Sequence, residues 1–160
     1  MGIILRKAEI MDCRDVFEWR NDPAVRNMSL DQRPIKDTDH DKWFNNSLKN
    51  PDRDLIIAES EGKKIGVVRV DRLNEYSGEI SINLAPDSRG KGFGPEILRL
   101  FSRTELTAGG YKILIARIKN TNPNSVKAFE KAGYKKLLEY TSNSGELIII
   151  MSKAGELYDE

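Results

Sequence analysis

The sequence predicts one mixed α+β domain, in which a mostly antiparallel sheet carries one splayed parallel strand pair and is flanked by helices. Three observations lead to this prediction. The chain of 160 residues has the length of a single ordinary domain. Three strand-like segments follow one another in its middle, and a helix then separates them from a near-continuous apolar strand. We place the domain over residues 1–160, with a frayed tail from about residue 153.

The first half of the chain contains short apolar runs separated by polar residues and prolines. It predicts a strand over residues 3–8, a helix from an Asp12 cap to about Trp19, a loop with a short helix over 24–37, and a helix from a Thr38 or Asp39 cap to about Asn50. These residues are predicted as caps because their side-chain oxygens can accept hydrogen bonds from the unpaired N–H groups at the start of a helix.

The second half alternates strand and helix patterns more regularly. It predicts strands over 54–59, 64–70 and 78–85, a helix over 95–108, a strand over 112–119, a helix over 123–132, and strands over 136–140 and 146–151. The first three strands form an antiparallel meander, and the last two form a hairpin. The strand before the 95–108 helix, that helix and the following strand form a right-handed βαβ unit.

Composition excludes several classes of protein. The 26 basic and 25 acidic residues leave a charge of +1, which argues against a protein that coats nucleic acid. A single cysteine, Cys13, and a single histidine, His40, predict neither an intramolecular disulfide nor a metal centre. The longest apolar run, residues 147–151, is too short to span a membrane, and the N-terminus lacks a signal-peptide pattern. We therefore expect a cytoplasmic protein with no membrane partner.

The charge is unevenly distributed along the chain. Residues 86–136 contain eleven basic residues and four acidic ones, so the remaining residues carry a net negative charge. This segment predicts one local anionic ligand. The alternative is that its lysines and arginines lie scattered on separate helix faces.

The glycine-rich run Arg89-Gly90-Lys91-Gly92-Phe93-Gly94 joins a strand directly to a helix. Glycines allow backbone N–H groups to crowd a small volume, and the start of a helix adds further unpaired N–H groups and the positive end of its dipole. Pro95 suits the first turn of that helix. The run therefore predicts a pyrophosphate-binding loop. A flexible turn before a helix is the alternative.

A second motif extends from Asn122 to Tyr134 and reads NPNSVKAFEKAGY. Asn122 caps a helix that begins at Pro123, and Gly133 ends it. Capping alone explains both ends of the motif.

Together, the two motifs resemble the GNAT superfamily of N-acetyltransferases, with its (Q/R)-x-x-G-x-(G/A) loop and its later N-x-x-S…(Y/F)-E-K-x-G-(F/Y) segment. The resemblance implies a single GNAT-type domain that transfers acetyl from acetyl-CoA to a primary amine without a metal. The acetyl-CoA contacts that it implies are Leu84, Pro86, Arg89, Gly90, Lys91, Gly92, Phe93, Gly94, Asn122, Ser125 and Phe129. The family often has tyrosine where this chain has Phe129. The proton donor to the CoA thiolate is therefore unassigned, with Tyr134 and Tyr140 as substitutes.

A carboxylate beside the thioester would serve as the base that deprotonates the amine. Glu79, Ser81 and Asn83 share one face of the third meander strand. We expect Glu79 to be the base and Asn83 to orient the substrate or a water molecule. The alternative is that Glu79 is a solvent-facing strand residue.

The N-terminal half is expected to bind the acceptor. Its pattern W-R-N-[DN]-P…R…H-x-x-W-F is similar to a GNAT branch that acts on nucleotide-linked 4-amino-sugars, including UDP-amino-sugars of pseudaminic-acid biosynthesis. The acceptor residues that this similarity implies are Trp19, Arg20, Asn21, Arg26, His40 and Trp43. The alternatives are tryptophans that anchor the core and a neutral, hydrogen-bonded His40.

Other functions stay open from the sequence. They are acetylation of protein N-termini, a non-catalytic acyl-CoA-binding module, and a nucleotide-binding regulator. The oligomeric state is open as well, and a homodimer is among the states that the sequence allows.

Overall fold

The computed structural model describes residues 2–108 and 110–156. Its strands are β1 (Ile3–Lys7), β2 (Arg53–Ser60), β3 (Lys63–Arg72), β4 (Ser77–Leu84), β5 (Ile113–Lys119), β6 (Lys135–Thr141) and β7 (Leu147–Ala154). Its helices are α1 (Cys13–Asn21), α2 (Pro23–Met28), α3 (Asp37–Lys49), α4 (Phe93–Thr107) and α5 (Pro123–Lys131). Short 3-10 turns precede α1 and follow β4.

The seven strands are hydrogen-bonded in the order β1-β2-β3-β4-β5-β7-β6. β4 and β5 run parallel, whereas β1–β2, β5–β7 and β6–β7 are antiparallel. The parallel register runs from Ser77–Ile113 to Glu79–Ile115, although β4 continues to Leu84 and β5 to Lys119. The predicted fold class, a mostly antiparallel sheet with one parallel pair and flanking helices, is confirmed.

The chain forms two compact units, and β4 contributes to both. The first unit contains the residues up to Val70 together with Ile82–Phe93. Its core is an apolar cluster to which α1, α3, β2 and β3 contribute side chains. The members of that cluster are Val16, Trp19, Phe44, Leu55, Ile57, Val67 and Ala85. Burying this apolar area is the main stabilising contribution of the unit.

The second unit contains Asp71–Ser81 and the residues from Gly94 onward. α4 buries Ile97, Leu98 and Phe101, and α5 buries Phe129. α5 ends as predicted: Gly133 has a φ of 94°, and the Tyr134 N–H donates to the Phe129 carbonyl at 3.0 Å. A left-handed residue at this position suits glycine and closes the helix.

The two predicted cap sites differ from the expectation in different ways. Asp12 is the residue before α1, as predicted, but its side chain makes no capping bond to α1. Its buried carboxylate instead accepts hydrogen bonds from Arg6 at 2.8 and 2.9 Å and contacts Lys64 at 2.8 Å. α3 begins at Asp37, earlier than the predicted caps Thr38 and Asp39, and follows Lys36, which makes no side-chain capping bond.

The predicted tail also begins too early. β7 continues through Ala154, where it pairs with β5, and the Gly155 N–H donates to the Lys112 carbonyl at 2.9 Å. Residues 157–160, the last part of that tail, lie outside the described residues.

Candidate active site

The glycine-rich loop has the backbone conformation that its sequence predicts. Gly90 and Gly92 adopt left-handed φ angles of 72° and 82°, while Arg89, which precedes them, is extended. Residues with side chains rarely adopt such angles, so glycine is required at both positions. α4 begins at Phe93, which places Pro95 in its first turn. The loop therefore ends in the unpaired N–H groups of a helix start, which suits an anionic group.

Arg89 holds this loop in place. Its guanidinium lies 3.4 Å from the Asp22 carboxylate and donates to the Leu84 carbonyl at 3.2 Å. Two of the groups predicted to bind acetyl-CoA, the Arg89 side chain and the Leu84 carbonyl, are therefore bonded to each other. Lys91 is exposed, so it is the cation of this loop that lies open to a ligand.

The end of β4 approaches β3 closely. A Cβ atom on Gly66 would lie 2.9 Å from the Asn83 carbonyl oxygen, so glycine is needed there. The Asn83 side-chain Nδ2 is buried, and no hydrogen-bond acceptor in the described part of the chain reaches it. A buried amide donor without a partner is costly, and a bound ligand or water would offset that cost. The residue predicted to orient the substrate thus has an unused donor.

Glu79 is ion-paired with Arg117. The two carboxylate oxygens accept hydrogen bonds from Arg117 Nε at 2.7 Å and from its Nη2 at 3.2 Å, and the Glu79 side chain is 18% exposed. The carboxylate raises the pKa of the Arg117 guanidinium, and the Tyr140 hydroxyl contributes in the same direction. The sequence pattern did not point to Arg117 as a site residue. Its position could have indicated the contact, because Arg117 lies two residues after Ile115, and Ile115 pairs with Glu79 across the parallel strands.

The second motif is well packed. The Asn122 side chain accepts a hydrogen bond from the Ser125 N–H at 3.3 Å, which confirms the predicted cap. Phe129 is buried with its ring edge-on to Tyr134. The Tyr134 hydroxyl lies 2.6 Å from Ser102 Oγ, and burial raises the pKa of Tyr134 to about 12. Tyr134 is thus a core residue and a poor proton donor to a thiolate.

Three of the six residues predicted to bind the acceptor, Trp19, Asn21 and His40, make contacts that hold the first unit together. Trp19 is buried in the core of the first unit. The Asn21 side chain bonds both backbone groups of Ile35, accepting from its N–H at 3.0 Å and donating to its carbonyl at 3.3 Å. These bonds hold the segment that leads into α3.

His40 is the third, and its hydrogen bonds define its protonation. It is 1% exposed, its Nε2 lies 3.0 Å from the Cys13 carbonyl oxygen, and its Nδ1 lies 3.2 Å from Arg20 Nη1. A carbonyl only accepts and a guanidinium only donates, so Nε2 carries the proton and Nδ1 accepts. Burial lowers the pKa of His40, and the Arg20 charge adds to this. His40 is therefore neutral and positions Arg20.

The other three are partly exposed. The Arg20 guanidinium carbon lies 3.9 Å from the centroid of the Trp43 ring, a cation–π contact. Arg26 has a buried Nε with no hydrogen-bond acceptor among the described residues. The predicted Arg20, His40 and Trp43 are thus brought together.

A family model described as an acetyltransferase (GNAT) domain matches residues 3–135. The chain belongs to this family. The predicted class, an acetyl-CoA-dependent N-acetyltransferase domain, is thereby confirmed at the level of the family. Among the residues that the structure describes, no cluster of histidine, cysteine and acidic side chains is arranged to hold a metal ion. No helix in the described ranges is both long and apolar enough to cross a membrane.

Solved structures with the same GNAT fold include two kinds of enzyme. A spermidine N-acetyltransferase from Vibrio cholerae, in complex with CoA and spermine, is 17% identical, with a TM-score of 0.87 over 96% of this chain and 95% of that one. The aminoglycoside acetyltransferase AAC(6')-Ib, in complex with coenzyme A and kanamycin, is also 17% identical, with a TM-score of 0.80 over the same shares. At this identity the likeness concerns the fold.

A curated relative is more similar in sequence. An uncharacterized protein of Methanocaldococcus jannaschii is 30% identical over 137 residues, which are 84% of this chain. The chain spans only 28% of the length of that relative.

Proposed function

We propose that this GNAT domain transfers acetyl from acetyl-CoA to the primary amine of a nucleotide-linked 4-amino-sugar. The observation that carries the choice of acceptor is Arg20, held over the Trp43 ring by a buried neutral His40. In the described part of the chain no carboxylate bonds Arg20. A planar cation beside an indole suits an acceptor that combines phosphate with ring systems.

Acetyl-CoA would be held mainly by the glycine-rich loop. The N–H groups around Gly90 and Gly92 and the start of α4 would bind its pyrophosphate, and Lys91 would add charge. Arg89 would act indirectly, by tying the loop to Asp22 and to the end of β4. Asn122 and Ser125, at the start of α5, are the further residues that we propose for acetyl-CoA.

Glu79 would accept the proton that the amine loses as its nitrogen attacks the thioester carbonyl. A new C–N bond forms, the C–S bond breaks, and CoA leaves as a thiolate that takes up a proton. Arg117 would release one Glu79 oxygen for this transfer and hold the other. The free Asn83 Nδ2 would donate to the acceptor or to the reacting carbonyl oxygen.

The thiolate also needs a proton donor, for which the sequence offered Tyr134 and Tyr140. The bond of the Tyr134 hydroxyl to Ser102 and its raised pKa argue against Tyr134. Tyr140, which is partly exposed and adjoins Arg117, is the tyrosine that we propose for this role.

A panel of acceptors tests the proposal. The purified chain is given acetyl-CoA and one of four amines: a UDP-4-amino-6-deoxy sugar, an N-terminal peptide, spermidine or kanamycin. A thiol-reactive dye reports released CoA. We expect release with the nucleotide sugar, and release restricted to the peptide would instead establish the protein N-terminal alternative.

The same assay distinguishes the proposed acetyltransferase from a non-catalytic acyl-CoA-binding module. Binding of acetyl-CoA without CoA release in the presence of any acceptor would identify an acyl-CoA-binding module. The observation that favours this alternative is Phe129, buried where the family often has tyrosine.

A further inference from the structure

Three arginines surround one indole in the first unit. The guanidinium carbons of Arg20, Arg53 and Arg69 lie 3.9, 5.4 and 6.0 Å from the centroid of the Trp43 ring. They come from α1, β2 and β3, so tertiary folding rather than sequence proximity assembles them. We refer to Arg20, Arg53, Arg69 and Trp43 as the arginine cluster. Of these four residues, the sequence pattern pointed only to Arg20 and Trp43.

The charge within this cluster is poorly compensated at Arg20. Among the described residues, its hydrogen bond is with a His40 ring nitrogen and its cation–π contact is with the Trp43 ring, and neither group carries a negative charge. Burial lowers the pKa of Arg20 to about 10, and the charges of Arg69 and Arg53 contribute to this. Arg6 and Arg117 show the opposite shift, because carboxylates raise the pKa of each. A buried cation that no carboxylate bonds destabilises the folded chain unless an anion joins it.

The arginine cluster is held in a defined geometry. His40 fixes one edge of the Arg20 guanidinium at 3.2 Å, and Ser47 Oγ accepts a hydrogen bond from Arg53 at 3.1 Å. Because their partners hold these arginines in place, less side-chain entropy is lost when a ligand binds.

We propose that the arginine cluster binds the diphosphate of the acceptor, an inference that rests on the proposed function and names the group that the first unit recognises. Guanidinium forks match phosphate oxygens in pairs, and a diphosphate supplies negative charge from two adjacent groups. The arginine cluster would also favour a diphosphate over polyamines and aminoglycosides, because Arg20, which no carboxylate among the described residues bonds, repels cations. Polyamines and aminoglycosides are the ligand classes in the solved structures of the similar enzymes.

Direct binding tests this inference without requiring turnover. The full chain is first saturated with CoA, so that the glycine-rich loop is filled, and UDP or uridine is then titrated by calorimetry. We expect UDP to bind at least tenfold more tightly than uridine. Equal affinities, or loss of UDP binding when CoA is present, would overturn the inference, because the phosphates would then be unrecognised or bound in the CoA loop.

Variants assign the binding to the arginine cluster. Arg20→Met and Arg69→Met should each weaken UDP binding at least tenfold and leave CoA affinity unchanged. Arg20→Lys is a further variant that retains the charge but loses the planar fork, and it should weaken UDP binding as well. Arg103→Met, which removes an exposed arginine from α4 in the second unit, is the matched control. Circular dichroism and thermal melting establish that each variant is folded.

The outcomes also separate this inference from the proposed function. UDP binding that depends on Arg20, without acetyl transfer to a nucleotide sugar, would retain the diphosphate site and remove the proposed reaction. Acetyl transfer to a nucleotide sugar that is equally efficient in Arg20→Met, Arg69→Met and Arg103→Met would retain the reaction and remove the site.

Discussion

Glu79 is ion-paired within the fold and is also the residue that we propose as the base. Its carboxylate lies in β4 and is bonded by Arg117 from the neighbouring parallel strand. The expectation of a solvent-facing residue fits poorly, since the side chain is only 18% exposed and both of its oxygens accept hydrogen bonds. Sequence alternation correctly indicated the strand face, but it contained no information about the arginine on the adjacent strand.

Replacing Glu79 by glutamine tests its role as the base. The glutamine side chain keeps the shape and one acceptor for Arg117 but cannot take up a proton. We expect kcat to fall about 10²- to 10⁴-fold near neutral pH, with a smaller loss at high pH, where more of the amine is already deprotonated. Steady-state kinetics across a pH series measures this. Glu139→Gln, which changes an ion-paired carboxylate on β6, is the control. A pH–rate profile identical to that of the unchanged chain would exclude Glu79 as the base.

Asp12 is the buried acid on which the first unit depends. Burial opposes its charge, but hydrogen bonds from Arg6 and Lys64 outweigh burial, so the pKa of the Asp12 carboxyl lies well below its usual range. Because the folded-state pKa is depressed, the stabilisation is complete above the unfolded pKa of about 4. It is lost as the pH falls through the folded-state value.

We therefore expect Asp12→Asn to lower the free energy of unfolding by about 3–5 kcal/mol at neutral pH, because two cations lose their buried partner. Urea unfolding at pH 7 and pH 3 measures the effect, and the difference between variant and unchanged chain should shrink at the lower pH. Asp52→Asn, at an exposed carboxylate before β2, is the control. Equal losses for the two variants would contradict the assigned role.

At the scale of elements, local signals predicted most of the fold. Proline and glycine at the ends of α5, apolar runs in the strands and the glycines before α4 each act through neighbouring residues, so the sequence reveals them. The capping bond predicted for the Asp12 side chain is absent, because Lys64 on β3, which is distant in sequence, contacts the same carboxylate. The backbone before α3 is held by Asn21, fourteen residues away from Ile35, through a hydrogen bond that the local sequence does not reveal. Such long-range bonds leave no periodic pattern.

The glycine-rich loop offers a matched comparison. Gly90 and Gly145 both have left-handed φ angles, 72° and 83°, and a Cβ atom on either would meet open space. Alanine should therefore strain both turns to a similar extent. We expect Gly90→Ala to weaken acetyl-CoA binding at least tenfold, measured by calorimetry, and Gly145→Ala, in the β6–β7 turn, to leave it unchanged. Equal acetyl-CoA affinities in the two variants would argue that the loop does not bind the pyrophosphate.

At the scale of the whole molecule, the distribution of charge along the sequence was an incomplete guide. The surplus of basic residues over 86–136 suggested one anionic ligand there. Arg89 and Arg117 in that segment are bonded to Asp22 and Glu79. The arginine cluster instead lies within the net negative remainder of the chain, because folding brings together cations that are far apart in sequence. A count of charges along one segment can therefore indicate a ligand that this segment binds by itself, but not a site that folding assembles from several segments.

The shared fold leaves the acceptor to be decided by local chemistry. Polyamines and aminoglycosides are cations, whereas this chain gathers three arginines around Trp43. The most direct test of the account is therefore the ratio of kcat/KM for a UDP-4-amino-6-deoxy sugar to kcat/KM for spermidine, each measured by CoA release at saturating acetyl-CoA. We predict a ratio of at least about 100, which corresponds to a difference of about 2.7 kcal/mol in transition-state binding. A ratio of one or below would contradict it.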